Sequence, residues 1–70
     1  MKKYVICTDN TGMEASLEVR KIYLVIPDKK AEKLGMLRVI DNSEEDYLHS
    51  QKRFVYVTFD KSIQKELQFS

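Results

Sequence analysis

The chain holds one cysteine and one histidine, Cys7 and His49, and these residue types can supply a nucleophile and its base. A thiolate paired with an imidazolium is a competent nucleophile, and the two residues could meet across strands. Cys7, however, lies inside an apolar run, and cysteine is among the residues most often buried. We therefore favour a core thiol and a surface histidine, and we expect no enzymatic activity and no catalytic residue.

Oxygen-bearing side chains crowd the turn at residues 41–46, and a calcium loop needs such a cluster. A calcium loop also requires glycine at its sixth position and a bidentate glutamate at its twelfth. Counted from Asp41, those positions hold Asp46 and Lys52. Zinc sites need several cysteines and histidines, and the chain has one of each. A phosphate-binding loop needs a glycine-rich segment, and the two glycines of the chain are isolated. The turn is therefore interpreted as a solvated acidic loop, and no metal or cofactor is expected.

Basic residues cluster at three places, and tyrosines near them could stack on bases. The clusters are Arg20-Lys21, Lys29-Lys30-Lys33 and Lys52-Arg53. The formal net charge is nevertheless only +1, from twelve basic and eleven acidic residues, whereas nucleic-acid-binding domains are commonly strongly basic. RNA or DNA binding is therefore the alternative hypothesis.

Protein contact is the favoured hypothesis. Tyrosine is a frequent interface anchor, and Tyr47 and Phe54 flank a break before the last predicted strand. The partner would be another protein or a second copy, since self-association would enlarge a small core. The sequence thus predicts a non-catalytic protein-interaction module. Its candidate binding residues are Tyr47, Phe54, Lys52, Arg53, Lys29, Lys30 and Lys33.

Composition limits the class of protein. The 70 residues are 43% hydrophobic and 33% charged, which predicts one folded domain over residues 1–70 and excludes disorder. The lone cysteine excludes a disulfide within the chain. The longest apolar run, Ile22–Ile26, is far shorter than the ~20 residues that cross a bilayer, and no membrane association is expected. The apolar stretch after Lys3 is too short for a signal-peptide core, so the expected location is the cytoplasm.

Short runs of β-branched and aromatic residues predict a mainly β fold. We expect strands at 3–8, 21–26, 36–40, 47–49 and 53–59, and extended chain at 13–20, where apolar and polar residues alternate. Asp28 should cap a short helical insertion over 28–34 that Gly35 ends, and Asp60 should cap a C-terminal helical turn. The expected core residues are Val5, Cys7, Leu17, Ile22, Leu24, Val39, Leu48, Phe54, Val55 and Val57.

Five short antiparallel strands are most economically curled into a small barrel, which removes most sheet edges. A sequence pattern supports this architecture: Lys21-x-Tyr23-x-Val25, Gly35-x-x-Arg38-Val39-Ile40-Asp41, Asp46-Tyr47-Leu48 and Arg53-Phe54-Val55. This pattern, over roughly 17–57, resembles that of small bacterial proteins that look like SH3-type barrels and carry no established activity. The resemblance implies a five-stranded SH3-like barrel. Glu44 stands where the pattern usually has glycine, which leaves a longer loop as the alternative to a tight hairpin.

Overall fold

The fold is mainly β, as the sequence predicts. The computed structural model describes residues 3–58, in which five antiparallel strands form one sheet of order β4-β3-β2-β1-β5. The elements in chain order are β1 (Lys3–Cys7), β2 (Ile22–Ile26), helix α1 (Lys29–Lys33), β3 (Met36–Ile40), β4 (Asp46–Ser50), a 3₁₀ turn (Gln51–Arg53) and β5 (Phe54–Val57). The end of the last predicted strand, residue 59, and the predicted turn capped by Asp60 lie outside the described residues.

The sheet is open, and the expectation of a closed barrel is wrong. β4 and β5 are its two edges and share no ladder, although the rings of His49 and Phe54 are 6.2 Å apart. The 3₁₀ turn redirects the chain between them, and β5 then pairs along its whole length with β1, from Tyr4–Val57 to Cys7–Phe54. The sheet therefore curls until side chains of its two edge strands meet at one end, while the described backbones of those strands form no ladder with each other.

The segment between β1 and β2 contradicts the prediction of extended chain at 13–20. It forms turns, because the amides of Ser16 and Leu17 both donate to the carbonyl of Met13 at 2.9 Å. The side-chain amide of Asn10 donates to the carbonyl of Leu17 at 3.0 Å. These local bonds take the place of ladder bonds, so the apolar alternation there does not mark a strand. Leu17 alone of this stretch is fully buried, as predicted.

The core lies on the concave face of the sheet, where alternate residues of the strands meet Leu17. Its members are Val5, Cys7, Leu17, Tyr23, Val25, Leu37, Val39 and Phe54, with Met13 packed against them. Five of the residues expected in the core are therefore confirmed: Val5, Cys7, Leu17, Val39 and Phe54.

The other five expected core residues were assigned to the wrong side of their strands. Ile22 and Leu24 are half-buried on the opposite face, and so is Val57, while Leu48 and Val55 are 41% and 56% exposed. In β2 every residue is apolar, so the sequence does not show which alternate residues face the core. Tyr23 takes the inner position because its hydroxyl finds two partners there. It accepts from the amide of Glu18 at 2.7 Å and donates to Asn42 at 2.9 Å.

The helical insertion is confirmed as α1. The carboxylate of Asp28 caps the N-terminus of α1 by accepting from the amide of Ala31 at 3.0 Å. Gly35 follows the C-terminal end of the helix in the left-handed conformation, with φ of 73°. Ala31 is buried, whereas Leu34 is 76% exposed, so the helix lies on the surface with one residue facing inward. Arg38 of β3 holds this insertion to the sheet by pairing with Asp28 at 2.9 Å.

Candidate functional site

A buried polar pair lies beneath the β3–β4 hairpin. Nε2 of His49 is 3.0 Å from Oδ2 of Asp41, and both side chains are 2% exposed. His49 is therefore a core residue, and its interpretation as a surface histidine is wrong. Its ring also packs edge-on against Phe54. A buried imidazole needs a hydrogen-bond partner, and Asp41 supplies it from the strand end that faces β4.

Asp41 also organises the turn that follows it. Its Oδ1 accepts from the amide of Ser43 at 2.9 Å and from the hydroxyl at 2.6 Å. Burial raises the pKa of Asp41, but the hydrogen bonds from Ser43 and His49 outweigh burial and lower the pKa below its ordinary value. The carboxylate is thus ionised near neutral pH. Because an ionised carboxylate only accepts, Nε2 of His49 carries the hydrogen.

Cys7 and His49 each bond to another group. The Cys7 thiol donates to the carbonyl of Asp9 at 3.5 Å, while His49 bonds Asp41. Phe54 is a neighbour of both, as the cross-strand partner of Cys7 and the ring contact of His49. Burial raises the pKa of the Cys7 thiol, which keeps it protonated near neutral pH. The prediction of a buried core thiol is confirmed.

Among the candidate binding residues, Tyr47 presents a large exposed side chain on β4, which is an edge strand of the sheet within residues 3–58. Tyr47 is 50% exposed and donates its hydroxyl to Glu45 at 3.0 Å, while the neighbouring Leu48 is 41% exposed. Phe54, by contrast, is 8% exposed and belongs to the core. Sequence reasoning missed Leu48 as a surface residue, because the strand's position at a sheet edge depends on the topology of the whole domain.

Backbone groups of β4 also face this edge. The amide of Asp41 donates to the carbonyl of Glu45 at 3.2 Å, and the amide of Gln51 donates to the carbonyl of Gly35 at 3.0 Å. Bonds across an antiparallel pair recur at every second residue, so positions 45, 47, 49 and 51 face β3. The remaining positions of β4 direct their amides and carbonyls away from the sheet. These are Asp46, Leu48 and Ser50.

The candidate basic residues fall into two environments. Arg53 is engaged, since its guanidinium lies 3.3 Å from the carbonyl and 4.0 Å from the carboxylate of Asp9. Lys52 is exposed in the 3₁₀ turn, and three further exposed lysines lie on α1. Within residues 3–58 these four form no ion pair. The α1 lysines are Lys29, Lys30 and Lys33.

The Gln51–Gly35 bond described above joins the 3₁₀ turn to the chain that follows α1. In the stretch from Lys3 to Thr58, no group of three or more metal-ligating side chains forms, and no helix is long and apolar enough to cross a membrane.

No protein family, curated protein or solved structure matches the chain.

Proposed function

We propose that the domain is a non-catalytic protein-interaction module of SH3-like type, located in the cytoplasm, that acts through the free edge of β4. The observation that carries this proposal is the combination of exposed Tyr47 and Leu48 with an outer strand backbone that no other strand within residues 3–58 pairs with. An unpaired edge is a template for an added strand, whose main-chain bonds give affinity while side chains give specificity. A partner segment in extended conformation would fit this edge.

The SH3-like part of the proposal is supported by topology. The fifth strand pairs with the first, the third and fourth form a hairpin, and a single 3₁₀ turn joins the fourth strand to the fifth. A hairpin, a one-turn break and a final strand are the order of elements at the C-terminal end of SH3-like domains. β4 immediately precedes that turn, so Lys52 follows the strand that carries the exposed side chains of Tyr47 and Leu48.

Tyr47 suits an interface because its ring is apolar while its hydroxyl is already satisfied by Glu45. Contact with a partner would therefore bury the ring without leaving a polar atom unpaired. Leu48 extends the apolar surface on the other face of the same strand, because neighbouring strand residues point to opposite faces. An added strand would meet one residue on each face.

Light scattering and affinity capture test the proposal. The wild-type protein should form a defined complex, with itself or with a captured protein, that Tyr47→Ser and Leu48→Lys weaken. Leu34→Lys is the matched control, because Leu34 is 76% exposed but lies outside the sheet. Complex formation should survive in this control. The proposal would be contradicted if the wild-type protein were a monomer and captured the same proteins as the Tyr47→Ser and Leu48→Lys variants.

Nucleic-acid binding is the second candidate, and the unpaired lysines favour it. The lysines of α1 and Lys52 are free of carboxylates within residues 3–58, so their charge is available to phosphates. Fluorescence anisotropy with a labelled single-stranded RNA should then show binding at low salt that weakens as salt rises. A variant with Lys29, Lys33 and Lys52 changed to glutamine should bind less and show a shallower salt dependence. Absence of binding at low salt would exclude this function.

A further inference from the structure

We propose that the occupant of the β4 edge is the β4 strand of a second copy of this chain, paired antiparallel about a two-fold axis at Leu48. The inference rests on the proposed function and names its partner. The two sheets would join into one continuous sheet of ten strands. Three observations carry it: the direction of the free backbone groups, the distribution of charge along β4, and the contrast with β5.

The backbone of β4 is self-complementary. Its outward-facing residues, Asp46, Leu48 and Ser50, are evenly spaced about Leu48. When two copies pair antiparallel with all five residues overlapping, Leu48 lies opposite Leu48 of the second copy, and Asp46 lies opposite its Ser50. Each of these positions then exchanges a pair of main-chain bonds, which gives about six bonds between the copies.

The charges at the two ends of β4 are opposite. The hairpin before the strand carries Glu44 and Glu45, and the turn after it carries Lys52. The side chains of Glu44 and Lys52 form no ion pair within residues 3–58, and Arg38 already neutralises Asp46 at 2.9 Å. In the antiparallel register the hairpin turn that carries Glu44 lies next to the 3₁₀ turn that carries Lys52 of the second copy, so the two opposite charges come to the same end of the paired strands. The two-fold axis repeats this arrangement, so the dimer has two such pairs.

The β5 edge lacks these features. β5 is four residues long, Phe54–Val57, and none of them is charged. It therefore offers no charge pattern that would fix a register or a direction. Pairing of β4 with a β5 strand of another copy would also be heterologous, and such contacts generate rings or open filaments. A β4–β4 contact closes as a dimer.

Sedimentation velocity over a range of concentrations, together with light scattering, tests the dimer. Wild-type protein should dimerise, and Leu48→Lys should abolish dimerisation because it places two cations side by side on the axis. Glu44→Lys and Lys52→Glu should each weaken dimerisation at least about fivefold, since each change affects two contacts. The double variant Glu44→Lys/Lys52→Glu should restore it. Circular dichroism confirms that every variant is folded.

Each outcome bears on the register. An equimolar mixture of the Glu44→Lys and Lys52→Glu chains should form a heterodimer tighter than either homodimer. A dimer broken by Val55→Lys but not by Leu48→Lys, or a double variant that remains weak, would overturn the β4–β4 pairing and leave the proposed function standing. A monomeric wild type that binds another protein through Tyr47 would do the same. A monomer with no edge-dependent partner would overturn both.

Discussion

The imidazole of His49 and the carboxylate of Asp41 meet at 3.0 Å with both side chains 2% exposed, and this contact joins the residue that follows β3 to the C-terminal part of β4. Asp41 lies immediately after β3 and begins the hairpin, while His49 lies near the end of β4. The pair therefore fixes how β4 lies against the core. It also holds His49 over Phe54, where the two edges of the sheet approach each other.

Removing the Asp41 carboxylate should destabilise the domain. We expect Asp41→Ala to lower the free energy of unfolding by about 2–4 kcal/mol, because it leaves the imidazole and the Ser43 hydroxyl without their acceptor. Asp41→Asn keeps an oxygen for Ser43 and should cost less. Urea denaturation measures both values. The control is Glu14→Ala at an exposed position, and an Asp41→Ala loss no larger than that of the control would show that the pair contributes nothing.

Stability should also fall in acid because of Asp41. Its pKa in the folded protein is lowered from the ordinary 3.8, so the unfolded chain binds the proton more readily. The contribution is present above pH 3.8 and is lost as the pH falls through the lower pKa of the folded state. Urea titrations from about pH 5 towards pH 2 should show this decline.

Asp41→Asn isolates the Asp41 contribution to that decline. Asp9 and Asp28 also have lowered pKa values, mainly from backbone hydrogen bonds with Thr11 and Ala31, and they titrate in both proteins. The variant should therefore lose stability in acid less steeply than wild type. Equal slopes in the two proteins would show that the carboxylate of Asp41 is not stabilised by folding.

The sequence predicts elements well where local signals agree. Met36–Ile40 is found with the predicted bounds, and β1 ends one residue before its prediction. α1 follows from a capping aspartate before it and Gly35 after it. In these segments strand or helix propensity, turn residues and length indicate the same structure.

The sequence does not predict features that depend on distant partners. His49 is buried because Asp41, eight residues away, lies next to it once the hairpin forms. The burial of Tyr23 likewise depends on Glu18 and Asn42. Which strands become edges depends on the whole topology, so the exposure of Leu48 has no local signal. Tyr47 and Lys52 were proposed from residue type alone, and the structure adds that Tyr47 lies on an edge strand and Lys52 in the turn that follows it.

The β3–β4 hairpin contains one residue, Glu44, in a strained backbone conformation. The loop is tight, and the longer loop considered from the sequence is not formed: the amide of Glu44 donates to the carbonyl of Asp41 at 2.9 Å, and Glu44 has φ of 68°. A three-residue loop with a left-handed residue at this position favours glycine. Glu44→Gly should therefore raise the free energy of unfolding by about 1 kcal/mol.

Dilute protein is the right condition for that measurement, because Glu44 also contributes to the proposed dimer. Thermal or urea unfolding gives the difference from wild type. The matched control is Glu45→Gly at the next position, where the backbone has no positive φ. This variant should be less stable than wild type, because glycine adds conformational freedom to the unfolded chain. A variant Glu44→Gly that is less stable than wild type would show that the side chain contributes more than its backbone strain costs.

Cys7 should react slowly with thiol reagents in the folded protein. Its side chain is fully buried between strands, and burial raises the pKa of the thiol, so both access and the thiolate fraction are small. We expect the labelling rate at neutral pH to be at least about tenfold lower than in denaturant. Cys7→Ser controls for labelling of other groups. Because a catalytic cysteine must be an accessible thiolate, a native rate that equals or exceeds the denatured rate would contradict the assignment of Cys7 to the core and favour a role for it in catalysis.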